Sequence, residues 1–262
     1  MLEMPISTQW MLNATGKINS NLALSVVMIV CNTTGSKGTG WLCSNLHIVT
    51  NEHVVRGANF NNITIVFSDG TQMVPVSKIE DAQIDIACLT LPTESTYAPL
   101  KIKTDEVEIG TRICAWGHPL GYNGPAPILI VGYLAGFNAH FGIPNTAPKK
   151  RLVLNAALNP GNSGGPVLVW GEDVVCGMAV TKHAPMSNSL QSCVTALANN
   201  SSGLQFSGTD TNGNPINFAE SQLVADVLKH FQSMTQVVIG EAVAPNDITS
   251  FLDAHSIPWL HV

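Results

Sequence analysis

The chain has 262 residues and a net charge of −6, and 45% of its residues are hydrophobic whereas only 11% are charged. This size allows a substantial core, and the lack of a basic run argues against a nucleic-acid partner. The N-terminus does not show the charged and then apolar pattern of a signal peptide, and the longest early apolar run, residues 22–31, is too short to span a bilayer. We therefore expect no membrane span and favour an intracellular location.

Six cysteines are scattered through the sequence, and most of them lie in apolar runs: Cys31, Cys43, Cys88, Cys114, Cys176 and Cys193. Without an export signal, this pattern favours buried, reduced thiols over disulfides. Neither a Cys-x-x-Cys nor a His-Glu-x-x-His motif is present. We therefore predict neither a metal site nor a cofactor.

The first part of the chain alternates short apolar runs with turn residues. Residues 1–20 are polar and irregular and are interpreted as an N-terminal leader. The strands predicted after it are 22–31, a hairpin of 41–44 with 46–50, a hairpin of 63–67 with 71–76, and 84–91. Short strands without intervening helices are typical of an all-β barrel or sandwich.

The second part repeats this pattern. Its predicted strands are 112–116, 128–137, 151–157 and a hairpin of 167–170 with 174–181. Residues 182–216 are rich in Ser, Asn and Gly and are predicted to form long loops. Apolar residues at helical spacing predict a helix over 223–231, and residues 236–262 are interpreted as a tail.

A glycine-rich turn at residues 158–166 displays one serine, Ser163, between Asn162 and Gly164. Glycines allow backbone conformations in which successive N–H groups point at one spot. A hydroxyl nucleophile beside backbone donors is the arrangement that acyl transfer requires. The segment therefore predicts a catalytic serine.

A catalytic serine needs a base and an acid that orients the base. His53 follows an apolar strand and begins a turn, so a rigid element would hold it. Asp85 lies between Ile84 and Ile86, where an unpaired carboxylate would be costly. Less suitable alternatives are His47 within the strand, His118 in a Gly/Pro loop, and Asp81 in a polar approach. The order His, Asp, Ser is that of chymotrypsin-type proteases.

Four segments together resemble the protease domain of HtrA/DegP-like trypsin-fold serine proteases. They are residues 38–55 around His53, 84–89 around Asp85, 116–136, and 155–166 around Ser163. The strand-and-helix pattern of residues 217–231 resembles the end of that domain. The resemblance implies two packed antiparallel six-stranded β-barrels with a C-terminal helix. It gives a protease domain over 21–235, with barrels over 21–105 and 106–235.

The resemblance also implies roles for individual residues. Ser163 would be the nucleophile, His53 the general base and acid, and Asp85 the residue that orients His53. The N–H groups of Gly161 and Ser163 would form the oxyanion hole. A strand formed by Met178, Ala179 and Val180 would pair with the substrate, and Ala157 would lie at the base of the first specificity pocket.

The expected activity is that of a serine endopeptidase acting through an acyl-enzyme on proteins or peptides. Because Ala157 has no acidic neighbour, we expect a preference for small to medium uncharged aliphatic side chains before the scissile bond. No PDZ-type domain is expected after the helix. Two alternatives stay open: a catalytically silent module that binds extended peptides, and a structural β protein. The sequence also leaves open a homo-oligomer.

Overall fold

The structure is a computed structural model that describes residues 4–15, 20–141, 147–182, 188–209, 213–234 and 238–262. Parts of the predicted leader and of the predicted loops over 182–216 lie outside these residues. The chain forms two compact units. The first combines Met1–Lys182 with Val238–Val262, and the second is His183–Val237.

The N-terminal segment contains two helices, α1 (Ile6–Ala14) and α2 (Ser20–Leu24). The hydroxyl of Thr8 donates to the backbone carbonyl of Ser68 over 2.5 Å, and Met11 packs against the core. The expectation of an irregular leader is therefore wrong for residues 6–14. Because α1 has only a weak apolar face, its periodicity gave no helical signal.

The first sheet is built by β1 (Val26–Cys31), β2 (Lys37–Leu42), β3 (His47–Thr50), β4 (Ile63–Val66), β5 (Gln72–Met73), β6 (Ser77–Asp81) and β7 (Ile86–Thr90). All neighbours are antiparallel, in the order β5-β4-β1-β2-β3-β7-β6. A short helix, α3 (Glu52–Val55), follows β3, and a 3-10 turn, Phe60–Asn62, precedes β4. The sheet curls around an apolar interior that includes Ile29, Ile48 and Leu89.

The remaining elements, in chain order, are β8 (Lys101–Ile102), β9 (Arg112–Gly117), β10 (Ile128–His140), β11 (Lys149–Asn155), β12 (Pro166–Val169), β13 (Val174–Lys182), α4 (Asn188–Asn199), β14 (Gln205–Thr209), β15 (Pro215–Ala219), α5 (Glu220–Met234), β16 (Gly240–Val243), α6 (Pro245–Ala254) and β17 (Leu260–His261). Six of these strands close into a barrel in the order β12-β9-β10-β11-β16-β13, because β13 also pairs with β12. The short strands β8 and β17 extend the sheet in parallel.

The architecture confirms the all-β, trypsin-like prediction. Six of the eight strands of the second sheet close into a barrel, whereas the first sheet has seven strands and no hydrogen-bonded closure among the described residues. Each sheet encloses its own apolar cluster. A third cluster joins the two sheets and contains Trp41, Leu168 and Met178, so the two sheets form one packed body.

The last barrel strand differs from the sequence expectation. Residues 215–219 form β15, which pairs only with β14 among the described strands. The strand that pairs with β11 and β13 is β16, in the segment expected to be a tail. It leads into α6, whose Ile248, Phe251 and Leu252 are buried in the shared core. The barrel therefore extends beyond the predicted boundary at residue 235.

The second unit consists of α4, the β14–β15 hairpin and α5. Phe206 and Phe218 stack across the hairpin with ring centroids 5.9 Å apart. The helix predicted over 223–231 is confirmed within α5, whereas the loop prediction for 182–216 is wrong where α4 and β14 form.

None of the helices in the described part of the chain combines the length and the apolar character that a membrane crossing needs. All six cysteines are free thiols, as expected. Five are buried, but Cys193 is exposed. Burial was therefore the wrong expectation for Cys193.

Candidate active site

A cavity of about 500 Å³ lies between the two sheets of the first unit. The first sheet and its loops contribute Gly35, Ser36, Lys37, His53 and Val54, and the second contributes Leu120, Asn159, Pro160, Gly161, Ser163 and Val180. The structure thus brings His53 and Ser163, more than 100 residues apart in sequence, to one cavity wall.

His53 is held by the carboxylate of Asp85 at two points. Its ring Nδ1 lies 2.9 Å from Asp85 Oδ2, and its backbone N–H donates to Oδ1 over 3.0 Å. Because a carboxylate only accepts hydrogen bonds, Nδ1 carries a proton, and in the neutral imidazole Nε2 is then the acceptor. The imidazole therefore has both its tautomer and its orientation fixed.

Asp85 occupies a turn rather than the strand that the sequence predicted. β7 begins one residue later, and Asp85 has a φ of 59°. This left-handed conformation is uncommon for a residue with a Cβ, although Asp tolerates it better than most. The side-chain amide of Asn51 donates to the Asp85 carbonyl over 2.9 Å and so helps to hold the turn.

The serine turn depends on two glycines with positive φ, Gly161 at 93° and Gly164 at 85°. A Cβ on Gly164 would lie 2.1 Å from the backbone oxygen of Thr39. The backbone of Gly164 and Gly165 exchanges hydrogen bonds with Ala179 on β13, each of 2.8 Å. These contacts fix the turn against the barrel.

The hydroxyl of Ser163 donates to the backbone carbonyl of Val180 over 2.6 Å. The Ser163 carbonyl accepts from the N–H of Thr39 over 2.8 Å. In the described part of the chain, the N–H groups of Gly161 and Ser163 are not donors in any hydrogen bond, whereas the intervening N–H of Asn162 donates to Asn159. The N–H groups on either side of Asn162 are therefore available to bind another acceptor, whereas that of Asn162 is not.

Thr39, on β2, connects the two sheets at this point, and the sequence did not single it out. Its hydroxyl donates to the Gly161 carbonyl over 2.7 Å and accepts from the N–H of His118 over 2.9 Å. Thr39 lies in a Gly-Thr-Gly segment at the start of the stretch that resembles the histidine segment of the family, but no sequence pattern assigned a role to Thr39 itself. Its role depends on a contact 122 residues away, which no local pattern reveals.

The four residues predicted to bind substrate differ in position. Val180 lines the cavity. Met178 and Ala179 are buried, and both pair with β16. Ala157 is half-buried between β11 and the serine turn and is not part of the cavity wall.

The alternative residues His47, Asp81 and His118 do not line the cavity. His47 is held by Ser44, and Asp81 accepts from the N–H of Gln83. His118 is fully buried, and burial, together with the charge of Lys37, lowers its pKa to about 3. Among the described residues, no cluster of His, Cys, Asp and Glu could hold a metal ion.

Two packed β-sheets, with Ser163 and the Asp85-bound His53 lining one cavity between them, match the arrangement of the chymotrypsin-type class. The family model of the trypsin-like peptidase domain matches residues 38–178, more than half of the chain. The chain belongs to the trypsin-like peptidase family.

Curated relatives include several Do-like proteases. Protease Do-like 1 of Arabidopsis thaliana is 26% identical over 204 residues, which cover 76% of this chain and 40% of the relative. Serine protease Do-like HtrB of Bacillus subtilis is 29% identical over 126 residues, which cover 47% of this chain and 27% of the relative. The chain thus spans less than half of the length of these relatives.

Solved structures with this fold include the active form of the Rv3671c protease from M. tuberculosis. Its TM-score is 0.61 at 16% identity, with 99% of this chain and 91% of that chain covered. The HtrA-type protease AlgW with a tripeptide has a TM-score of 0.59 at 17% identity, with 92% and 64% covered. Both similarities support the trypsin-like fold.

Proposed function

We propose that this chain is a serine endopeptidase that hydrolyses peptide bonds through Ser163, His53 and Asp85 and an acyl-enzyme intermediate. The observation that carries the proposal is the shared cavity, whose lining includes both Ser163 and an imidazole whose Nδ1–H is held by Asp85. Family membership supports the same reaction class.

In the proposed reaction, the Ser163 hydroxyl leaves the Val180 carbonyl and turns to His53. His53 Nε2 takes the hydroxyl proton while Oγ attacks the substrate carbonyl carbon. The tetrahedral intermediate then collapses, the C–N bond breaks, and the imidazolium returns the proton to the departing amine. Water, activated by the same imidazole, cleaves the resulting ester and restores Ser163.

The N–H groups of Gly161 and Ser163 would stabilise the oxyanion. The Pro160 carbonyl accepts from Leu120 N–H over 2.7 Å. Because the C=O and N–H of a trans peptide point in opposite directions, this bond directs the Gly161 N–H away from the 119–121 loop. One oxyanion donor contributes about 3–4 kcal/mol to lowering the barrier.

An extended substrate would add to the edge of β13 at Val180 and beyond. The strand β12 pairs with β13 up to Met178, whereas β16 continues to Lys182 on the other side. One backbone edge of residues 180–182 is therefore free of β12 and can accept a peptide strand. This shifts the proposed contact from Met178 and Ala179 toward Val180.

The proposed preference for small to medium uncharged aliphatic residues before the scissile bond rests on the family resemblance, which puts Ala157 at the base of the first specificity pocket. An alanine at that position supplies no carboxylate for Lys or Arg. A peptide library digested by the protein should give cleavage after small aliphatic residues, and predominant cleavage after Lys or Arg would contradict this preference.

A fluorophosphonate probe tests the proposed function, because it reacts with activated serines. We expect the wild-type protein to be labelled at Ser163, and the label to disappear in Ser163→Ala and His53→Ala. Ser36→Ala is the matched control, since Ser36 is the other serine of the cavity wall; this variant should keep the label. A folded wild-type protein that takes up no label would contradict the proposal.

One observation favours a second function, a peptide-binding module without catalysis. The Ser163 hydroxyl is engaged by Val180 over 2.6 Å, which withholds its proton from His53 in this conformation. If this state persists with substrate bound, extended peptides would bind to the wild type and to Ser163→Ala with equal affinity, and the wild type would not cleave them. Cleavage by the wild type alone excludes this function.

A further inference from the structure

Arg151 is a buried cation that the proposed reaction does not use. It lies on β11 of the closed barrel, and only 2% of its surface is exposed. Burying a guanidinium is costly unless hydrogen bonds and opposite charges compensate for the lost water. Its surroundings should therefore indicate what the side chain does.

The guanidinium reaches from the closed barrel to the turn that carries Asp85. Its Nη2 donates to the carbonyl of Ile84 over 2.9 Å. That carbonyl belongs to the peptide group between Ile84 and Asp85. Arg151 thus holds the backbone immediately before Asp85, from the opposite sheet.

The backbone immediately after Asp85 is held as well, because the Asp85 carbonyl accepts from Asn51. The two peptide groups that flank the Asp85 Cα are therefore fixed independently. The φ and ψ of a residue are set by the orientation of these two groups. Together, Arg151 and Asn51 stabilise the unusual φ of 59° at Asp85, which would otherwise tend to relax.

The charges around Arg151 agree with this role. The carboxylates of Asp85, Asp247 and Glu241 attract the guanidinium, although burial is the larger effect and lowers the pKa of Arg151. Asp247 also pairs with Lys149, and Glu241 accepts from Asn138. Asp85 is shared with His53 in the same way.

We propose that Arg151 is a positioning residue that acts through Asp85. By holding the Ile84–Asp85 peptide, it keeps the carboxylate in reach of both N–H groups of His53. The inference rests on the proposed function, because it gives Arg151 an effect on the reactivity of Ser163.

Arg151→Met tests the inference, since it removes the guanidinium but keeps an unbranched apolar side chain. We expect kcat and the rate of fluorophosphonate labelling to fall about 10–100-fold, as for a misplaced catalytic group, and KM to change less than about twofold. Arg112→Met is the matched control. Arg112 lies on β9 of the same barrel, where its guanidinium stacks 4.0 Å over the Trp170 ring, and its loss should leave kcat unchanged.

A double-mutant cycle with Asp85→Asn distinguishes positioning from a general structural role. If Arg151 acts through Asp85, Arg151→Met should slow labelling in the wild-type background and change it less than about twofold in the Asp85→Asn background. Equal losses in both backgrounds would overturn the inference. If Arg151→Met does not fold, as judged by thermal unfolding, Arg151→Leu, which also lacks a donor, replaces it in the same cycle, and full kcat in that variant would also overturn the inference.

The outcomes separate the inference from the function on which it rests. A wild-type protein that is not labelled contradicts the proposed function and the inference together. Labelling of the wild type with additive losses contradicts the role of Arg151 alone.

Discussion

The two sheets hold their parts of the site by different means. In the open first sheet, side chains do so: the Asp85 carboxylate holds His53, and the Asn51 amide holds the Asp85 turn. In the closed barrel, the backbone does so: the serine turn is bound to β13 through the N–H and C=O groups of Gly164, Gly165 and Ala179. The His53–Asp85 contact is therefore sensitive to side-chain chemistry, whereas the serine turn depends mainly on backbone conformation, with one side-chain contact from Thr39 to Gly161.

This difference also explains what must move. The His53 ring is tied at Nδ1 and cannot turn without losing Asp85. The Ser163 backbone is fixed, but its hydroxyl has one rotatable bond and one partner in the described structure, Val180. The proposed reaction requires the Ser163 hydroxyl to leave Val180, and this side-chain torsion is the freedom available for that change.

The largest predicted effect concerns the side-chain contact between Asp85 and His53. Asp85→Asn keeps a residue that tolerates positive φ but loses the charge that fixes the tautomer of His53. We expect kcat to fall roughly 10⁴-fold, the typical loss for such a substitution, as measured by peptide hydrolysis. Asp173→Asn is the control, because Asp173 also has a positive φ of 55° and lies outside the cavity wall. A comparable fall of kcat in Asp173→Asn would show that the effect does not depend on the contact between Asp85 and His53.

The next largest predicted effect concerns the backbone of the serine turn. Gly164→Ala adds a Cβ against the Thr39 carbonyl at a φ of 85°. We expect the free energy of unfolding to fall by about 3 kcal/mol, from strain and overpacking together, along with a loss of probe labelling. Gly171→Ala has the same φ but no atom within 4 Å of the added Cβ. Gly171→Ala should therefore lower the free energy of unfolding by only about 1 kcal/mol. Chemical denaturation measures the free energy of unfolding of both variants. An equal fall in both would show that the close contact with Thr39 does not contribute.

The smallest effect concerns His118, which lies beside the connection between the two sheets. Its pKa is about 3 in the folded protein, against an ordinary value of 6.5. Between these pH values the unfolded chain binds a proton that the folded protein does not. His118 therefore reduces stability as the pH falls from 6.5 toward 3, by about 1.4 kcal/mol per pH unit.

Urea denaturation at pH 7, 6 and 5 checks this prediction. His118→Gln removes the titration and should make the loss of stability on acidification shallower. His47→Gln is the control, since burial lowers the pKa of His47 by less. An unchanged pH dependence in His118→Gln would show that the buried imidazole does not contribute.

The sequence predicted the class of fold because apolar runs and turn residues alternate regularly in both halves. It predicted the segments around His53, Asp85 and Ser163 because these carry specific local patterns. It placed Asp85 within a strand because the pattern Ile84-Asp85-Ile86 alternates like a strand. The positive φ that puts Asp85 in a turn depends on contacts from Asn51 and Arg151, which the alternation does not encode.

The end of the barrel was mistaken for a similar reason. Residues 217–231 and 240–254 both combine a short strand with a helix, so local pattern alone does not separate them. The difference lies in partners, since β16 pairs with β11 and β13 and β15 pairs with β14. Pro245 at the first helical position of α6 was the available signal, because proline is favoured there.

The pairing of Lys182 with Gly240 across β13 and β16 means that the chain leaves the barrel and returns to it at neighbouring positions, about 5 Å apart. A segment with such closely spaced ends can be lengthened, shortened or exchanged during evolution while the ladder on either side keeps its register. The residues His183–Val237, which form the second compact unit, could therefore be replaced by a short linker without separating β13 from β16.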